Sequence, residues 1–434
     1  MSGLWELEEQ PERVISVHPE PANRRLSEHL WKARAQEFDL LVRAAHCELV
    51  ASQRLTVRKA VSATLLGQGQ VEQVGRLVEM HEADVVFVDH PLSPVQQRNL
   101  ETTWNTKVVD RTGLILEIFA ARARTREGVL QVELASLNYQ LGRLVRSWTH
   151  LERQRGGFGF MGGPGERQIE LDRRMIRNSI GALERDLEKV KRMRATQRSG
   201  RQRKDIPTVA LVGYTNAGKS TLFNRLTESG VYVADKLFAT LDPTLRLLEL
   251  PGGLRLMLSD TVGFVQELPH ELVDAFRATL EEVIEANLIL HIRDASDPMQ
   301  AEQAKVVHAT LQQLGVVGDD APLVIEVLNK KDKTPGLASF HGEDITTSRL
   351  AVSALTGDGL HELTDLLTAW LQRDMHELRL HLAISDGRSL AYCHAHGAIL
   401  SSEAGDDVLD LVVRMGPADA ARFNVQSDIH FLNG

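Results

Sequence analysis

Two cysteines in 434 residues, Cys47 and Cys393, leave no disulfide framework to read, and a pair so far apart points to thiols in a reducing compartment. Aromatic residues make up only 5% of the chain, and no apolar run reaches the roughly 18 residues of a membrane helix. The stretch Met1 to Gln10 is acidic and lacks a signal-peptide core. We therefore expect a cytoplasmic protein with no membrane insertion, for which peripheral contact with a membrane stays open. A uniform charge is also missing. The formal net charge is −9, yet residues 122–205 hold 20 Lys/Arg against 10 Asp/Glu, so this block carries +10 and the rest −19. A basic block in an acidic chain is either a solvated helical surface or the face for a polyanionic partner.

What is present is organised in segments. The length suggests about two to four domains. The first part, residues 1–127, has no motif over its first sixty or so residues, where Phe38–Val42 and Glu48–Ala51 read as strands. Short apolar runs then follow at Thr64–Gly67, Asp84–Val88 and Lys107–Asp110, with helix-like stretches Val71–His81 and Ser93–Thr103 between them. That alternation predicts a small parallel α/β domain. Residues 205–373 and 374–434 read as a nucleotide-binding domain and a small α+β appendage with runs at Leu378–Ile384 and Val408–Val413. The fold class is thus α/β, with a P-loop domain preceded by the small α/β domain and a helical hairpin.

The hairpin is read from its period. Leu130, Leu134, Leu137, Leu141, Leu144, Trp148 and Leu151 form a heptad seam, and Ile169, Ile176, Ile180, Leu183, Leu187 and Val190 form a second. Two such helices within 128–204 pack antiparallel, each about 24 residues and ~36 Å long. The connection, Arg153 to Arg167, holds six glycines, with Phe158 and Phe160 framed by Arg153, Arg155 and Arg167. It is either a flexible connector or a tip whose arginines and aromatics meet RNA. Arg192 to Lys204 reads as a basic tether.

The strongest chemistry lies after Asp205. Val209–Val212 is an apolar run leading into Gly213-Tyr214-Thr215-Asn216-Ala217-Gly218-Lys219-Ser220, followed by Thr221 and a helix. This is the GxxxxGK[ST] phosphate loop: backbone N–H groups turn toward phosphate oxygens, Lys219 meets the β and γ phosphates, and Ser220 offers its hydroxyl to Mg²⁺. The run Leu254–Ser259 ends in Asp260-Thr261-Val262-Gly263. Asp260 would hold Mg²⁺ through water, and the Gly263 N–H would sense the γ-phosphate. Asn329-Lys330-Lys331-Asp332 follows an apolar run, and the Asp332 carboxylate can accept both amino-edge donors of guanine, which adenine lacks. Ser353-Ala354-Leu355 follows Arg349–Val352, where a backbone N–H can face guanine O6. Within Phe238-Ala239-Thr240-Leu-Asp-Pro-Thr244, Thr240 is the candidate switch hydroxyl for Mg²⁺ and Thr244 the reserve. The four motifs in this order predict GTP and GDP as ligands and GTP hydrolysis as the reaction, with Lys219, Thr240 and Gly263 in the catalytic roles.

The sequence resembles the HflX family of GTPases, near the Obg-type proteins. The resemblance rests on Pro94-Val-Gln-Gln-Arg-Asn-Leu-Glu101, Asp110-Arg-Thr-Gly-Leu-Ile-Leu-Glu-Ile-Phe119, Gly163-Pro-Gly-Glu166, Gly213–Ser220 and Phe238–Thr244, and covers roughly residues 60–373. It implies binding to the large (50S) ribosomal subunit and its 23S rRNA, and splitting of stalled or idle 70S ribosomes under stress, with the hairpin tip reaching toward the peptidyl-transferase centre. A ribosome-assembly GTPase, or a GTP-dependent regulator of a protein partner such as a membrane protease complex, are the competing readings. Family members are also reported to hydrolyse ATP. Here Gly67-Gln-Gly-Gln70 stands where relatives often carry lysines, which argues for a plain strand-to-helix turn. The tip departs too: Phe160-Met-Gly precedes Gly163, where many relatives have an Arg, and Arg167 stands where Thr is common. A monomer is expected.

The position after Gly263, where Ras-like enzymes carry a water-orienting Gln, is Phe264. Slow intrinsic hydrolysis follows, completed by a docked partner or by a monovalent cation. Asn216 matches a loop Asn that coordinates K⁺ in some related GTPases; the other reading is a plain loop residue.

Overall fold

The computed structural model describes residues 11–22, 27–154, 164–202, 206–228, 238, 240, 241, 243–266, 280–316, 321–340, 342, 348–373, 375–405, 407–416, 419, 420, 422 and 423, with the side chains of 145–154, 164–169, 194–202 and that of 398 left aside. The Gly-rich connection at 155–163 and Ala239 lie outside these residues.

The chain opens with four strand–helix units: β1 (Arg13–Pro21), α1 (Glu28–Ala44), β2 (Glu48–Val57), α2 (Gln68–His81), β3 (Val85–Val88), α3 (Pro94–Trp104), β4 (Lys107–Asp110) and α4 (Arg111–Arg122). The strands form one parallel sheet in the order β2-β1-β3-β4. Two expectations are corrected here. Phe38–Val42 is not a strand but the inner stripe of α1, whose buried residues Ala35, Phe38, Leu41 and Val42 follow the helical period. Thr64–Gly67 is not a sheet strand: Val61 and Leu65 close a small antiparallel bridge, and Gly67 then caps α2, with Gln70 bonded back to the Gly67 N–H and to the Thr56 carbonyl. The motifless opening contains β1, the second strand of the sheet.

That strand is buried yet polar. Ser16, His18 and Glu20 are at most 4% exposed. Their partners sit on neighbouring elements: Ser16 donates to Asp39 (2.6 Å), and Arg54 donates to Glu20 (2.8 Å). His18 lies between Asp39 and Asp89, with Nε2 3.2 Å from Asp39 and Nδ1 3.6 Å from Asp89, while Ser16, Ser52, Trp31, Phe38 and Arg34 complete its surroundings. Burial acts to lower its pKa, but the two carboxylates overturn this and hold it above the ordinary 6.5. Protonated His18 therefore adds stability that is complete below 6.5 and is lost as pH rises through the folded value. We expect thermal unfolding to shift to lower temperature as pH rises above 6.5 and through the folded value of His18. His18→Gln should flatten that slope; an equal slope in the variant would remove His18 as its source.

α5 (Arg126–Gln154) and α6 (Pro164–Gln202) form the arm. Leu144 and Ile176 line one pocket, and Arg126 and Asp186 attract each other at the other end, so the helices run antiparallel. The seam residues Leu130 to Leu144 and Ile176 to Val190 are half-buried to buried, whereas most of the described side chains of α6, those of 170–193, are exposed. The helices have 29 and 39 residues, longer than the heptad seams, and span about 44 and 58 Å. The stretch read as a basic tether is helical through Gln202, because its Arg, Met, Gln and Ala residues favour helix without needing an apolar face and outnumber Thr196, Ser199 and Gly200.

β5 (Thr208–Gly213), α7 (Lys219–Thr227), β6 (Thr244–Glu249), β7 (Arg255–Asp260), α8 (Glu281–Ile284), β8 (Leu288–Asp294), α9 (Gln300–Gln313), β9 (Leu323–Asn329), β10 (Arg349–Ala351) and α10 (Leu360–Gln372) follow. Their sheet has the order β10-β9-β8-β5-β7-β6, parallel except for β6. The last unit is an antiparallel sheet, β11 (His376–Ala383), β12 (Gly397–Ala404) and β13 (Val408–Met415), with α11 (Gly387–His396) before β12. Its core of Leu378, Leu380, Leu382, Cys393, Leu411 and Val413 is separate from the rest. By contrast, Phe38, Leu114 and Phe119 of the first unit share one core with Tyr214, Phe238 and Phe264 of the second.

Candidate functional site

In a parallel sheet with helices packed around it, loops at the carboxyl ends of the strands converge. β5, β7, β9 and β10 each end at one of the four motifs. The phosphate loop leaves β5 at Gly213 and re-enters helix at Lys219 through Gly218, whose φ of +90° is left-handed. A Cβ on Gly218 would overlap the Asn329 amide nitrogen. Lys219 is buried, and its Nζ donates to the carbonyls of Gly213 (3.1 Å) and Tyr214 (2.9 Å). Burial pushes this ammonium down to about 8, opposed by the Asp260 carboxylate. Ser220 and Thr221 follow in α7, while Asn216 is exposed on the loop with φ 60°.

Ser220 and Thr240 both donate to the same oxygen of Asp260, at 2.7 and 2.8 Å, and their hydroxyls lie 2.7 Å apart. The other oxygen of Asp260 is buried without a hydrogen-bond partner. Burial raises the Asp260 pKa, and the hydroxyls and Lys219 pull the other way. Three hard oxygen ligands, one an orphaned buried carboxylate oxygen, suit Mg²⁺. Thr244, the reserve, lies in β6 opposite Asp260 in the antiparallel register. Thr261 is buried and donates to the Leu211 carbonyl, and Val262 packs inward. Gly263 lies against the phosphate loop: a Cβ there would stand 2.9 Å from the Thr215 backbone and 3.0 Å from Lys219 Nζ.

The base end is tied to the phosphate end through one side chain. Asn329 donates to the Ala217 carbonyl (2.8 Å) and accepts from the Ala354 N–H (3.0 Å). The Ala354 N–H, one of those in the segment expected to face the base, is thus engaged with Asn329 in this structure. Asp332 is exposed and accepts from the Ser353 hydroxyl at 2.6 Å, which in turn accepts from the Thr356 N–H. Lys330 has a left-handed backbone and pairs with Asp294 at 2.7 Å. Leu355 is 71% exposed, beside Ala354.

Two named residues point elsewhere. The Tyr214 ring is buried away from the phosphate side, and its hydroxyl donates to Glu37 of α1 at 2.8 Å. Phe238 stacks edge-to-face on Phe119 of α4, with centroids 4.7 Å apart, a pairing worth about 0.5–1.5 kcal/mol beyond burial. Sequence reasoning missed the partners Glu37, Arg111, Gln266 and Asp294. Only Arg111 carried a signal, as part of the string beginning at Asp110.

Fold and site together define a P-loop guanine-nucleotide hydrolase. Three family models match the chain: "GTP-binding GTPase N-terminal" over residues 32–120, "GTP-binding GTPase Middle Region" over 122–201, and "50S ribosome-binding GTPase" over 208–330. The GTPase HflX of Magnetococcus marinus is 51% identical over 422 residues, covering 96% of each chain. That of Escherichia coli is 45% identical over 395 residues, covering 89% of this chain and 91% of the relative. Among solved structures, a GTP-binding protein from Sulfolobus solfataricus in complex with GDP is 22% identical with a TM-score of 0.43, covering 82% of this chain and 98% of that one. The chain belongs to the HflX family of GTPases.

Proposed function

We propose that this GTPase binds the large ribosomal subunit through its two-helix arm and separates the subunits of stalled or idle ribosomes, in the cytoplasm and as a monomer. The observation that carries the reading is the arm itself. It is an antiparallel pair whose longer helix spans about 58 Å. α6 presents Arg174, Arg177 and Arg185 on its exposed surface. No protein face of the chain covers that surface among the described residues, and cationic side chains along a rod suit RNA phosphates, whose contacts supply much of nucleic-acid affinity. The description of the family model over 208–330 names the same kind of partner.

In the nucleotide site, Ser220, Thr240 and Asp260 would hold Mg²⁺, which neutralises charge on the phosphates. Gly263 offers its N–H to the γ-phosphate, Lys219 balances the β and γ oxygens, and Asp332 selects guanine. Phe264 is buried at 4% exposure and has no group with which to orient water. Basal turnover is therefore slow, and GTP binding favours docking while hydrolysis favours release. Asn216, exposed on the phosphate loop, is the ligand we assign to a K⁺ ion that assists hydrolysis. Turnover should be several-fold faster in KCl than in NaCl at equal ionic strength; equal rates would end the K⁺ assignment alone.

The test of the main reading is sucrose-gradient sedimentation with purified 50S particles and 70S ribosomes. We expect co-migration with 50S and loss of the 70S peak in a non-hydrolysable GTP analogue, and neither in GDP. Arg174→Glu/Arg177→Glu/Arg185→Glu should weaken binding at least tenfold. Migration only with precursor particles would replace this function by assembly. Unchanged binding by the triple variant would point to a protein partner.

A further inference from the structure

We propose that Tyr214 is a positioning residue for GTP hydrolysis, which clips the segment after Gly263 to the N-terminal α/β unit through Glu37. The inference concerns hydrolysis alone, so it stands whether or not the ribosome is the partner.

The segment from Gly263 to Gln266 is held at each alternate residue. Phe264 donates its N–H to the Gly213 carbonyl (3.1 Å) and accepts from the Thr215 N–H (2.8 Å), which zips it to the phosphate loop. Gln266 is held by different groups. Its N–H donates to the Tyr214 hydroxyl at 2.8 Å, and its carbonyl accepts from Arg111 Nε at 3.3 Å. The same tyrosine hydroxyl donates to one oxygen of Glu37, and Arg111 takes the other oxygen at 2.9 Å. Arg111 is 1% exposed and also donates to Asp89 at 2.7 Å. Burial lowers a guanidinium pKa, but here the Asp89 and Glu37 carboxylates outweigh it, so Arg111 stays charged.

This arrangement sits at a particular place in the fold. In a parallel sheet of order β2-β1-β3-β4, the chain reverses direction between β1 and β3, and a crevice opens at their carboxyl ends. His18 and Asp89 stand there, and Arg111 begins the helix after β4. Arg111 lies buried against Asp89 and Glu37, and its Nε–H reaches out to Gln266 of the nucleotide-binding unit. Beside the core the two domains share, these polar links meet at one backbone residue, Gln266, three positions beyond the γ-phosphate sensor.

The consequence is kinetic. Phosphate affinity comes from the loop N–H groups and Lys219, which Tyr214 does not touch with its side chain. Hydrolysis depends on Gly263 and its neighbours already standing in place, because a donor that must first be ordered contributes less to the transition state. Tyr214→Phe keeps the ring and leaves the Arg111–Glu37 ion pair on its own oxygen, but removes the hydroxyl that holds Gln266. We expect kcat to fall about tenfold and the affinity for fluorescent GTP and GDP analogues to stay within twofold.

A thermodynamic cycle separates this from a general loosening. Glu37→Gln retains an acceptor for the hydroxyl but weakens its anchor, so kcat should fall three- to tenfold. The double variant should be slower than Tyr214→Phe alone by less than the Glu37→Gln factor, because the two changes share the hydroxyl joint while Glu37→Gln also loosens Arg111 from its own oxygen. Circular dichroism and unfolding temperature establish that each variant is folded, and both kinetic constants are measured without ribosomes. A kcat for Tyr214→Phe that is within twofold of the parent, or raised, overturns the proposal. So do effects of the two substitutions that simply multiply, or a loss carried by KM instead of kcat.

Discussion

Asp332→Asn should weaken GTP binding by about 10²–10⁴-fold, the worth of two hydrogen bonds to a charged group. The carboxylate is exposed at the end of β9 and braced through one oxygen by Ser353. Guanine presents an N–H and an amino group to such a carboxylate, and both are donors. The amide of Asn offers one acceptor and one donor, so half of the base edge then meets a like group. Xanthine carries a carbonyl where guanine has the amine, and its nucleotide should bind the variant better than it binds the parent. Competition against a fluorescent GDP analogue, run with GTP, ATP and XTP, measures all three. Parental guanine selectivity in the variant would mean that the base is recognised elsewhere. Asn329→Ala serves as contrast: it removes the tie between Ala217 and Ala354, so it should weaken every nucleotide alike.

The nucleotide site was legible because its grammar is local. Each motif is a few residues long, each sits at a strand end, and each residue type has a chemical reason to be there. Ser220, Thr240 and Asp260 meet in space although separated by up to forty positions, since the parallel sheet brings the strand ends together. The joint at Tyr214 was not legible. Its bonds link residues 177 and 155 positions apart, to Glu37 and Arg111 respectively from the nucleotide unit, and no period or motif announces such pairs. β1 was missed for another reason. A buried strand normally reads as an apolar run, whereas Arg13–Pro21 hides Ser16, His18 and Glu20, whose partners on α1 and β2 satisfy them only in the folded chain. The arm was legible in its heptad seams but not in its full length, because the C-terminal part of α6 relies on helix propensity and leaves no apolar stripe to count.

Gly263→Ala should leave GDP binding within a few-fold of the parent but reduce kcat by roughly 10²–10³-fold, the usual cost of removing one pre-placed donor from a developing anion. The added methyl would press on the Thr215 backbone and Cγ2 at 2.9 Å and on Lys219 Nζ at 3.0 Å. Neither can yield freely. Thr215 is held through its N–H by Phe264, and Lys219 is held by two carbonyls of the phosphate loop. The strand end must back away instead, and it takes the Gly263 N–H out of reach of the γ-phosphate. GDP has no third phosphate and should scarcely notice. The variant should therefore lose its preference for GTP over GDP together with its turnover, which single-turnover hydrolysis and paired nucleotide titrations can read in one preparation. Gly218→Ala provides the opposite pattern, since its methyl would strike the Asn329 amide from a left-handed backbone and weaken both nucleotides. If Gly263→Ala turned over GTP at the parental rate, the segment after β7 would not be the reporter of the third phosphate, and the joint at Tyr214 would have nothing to position.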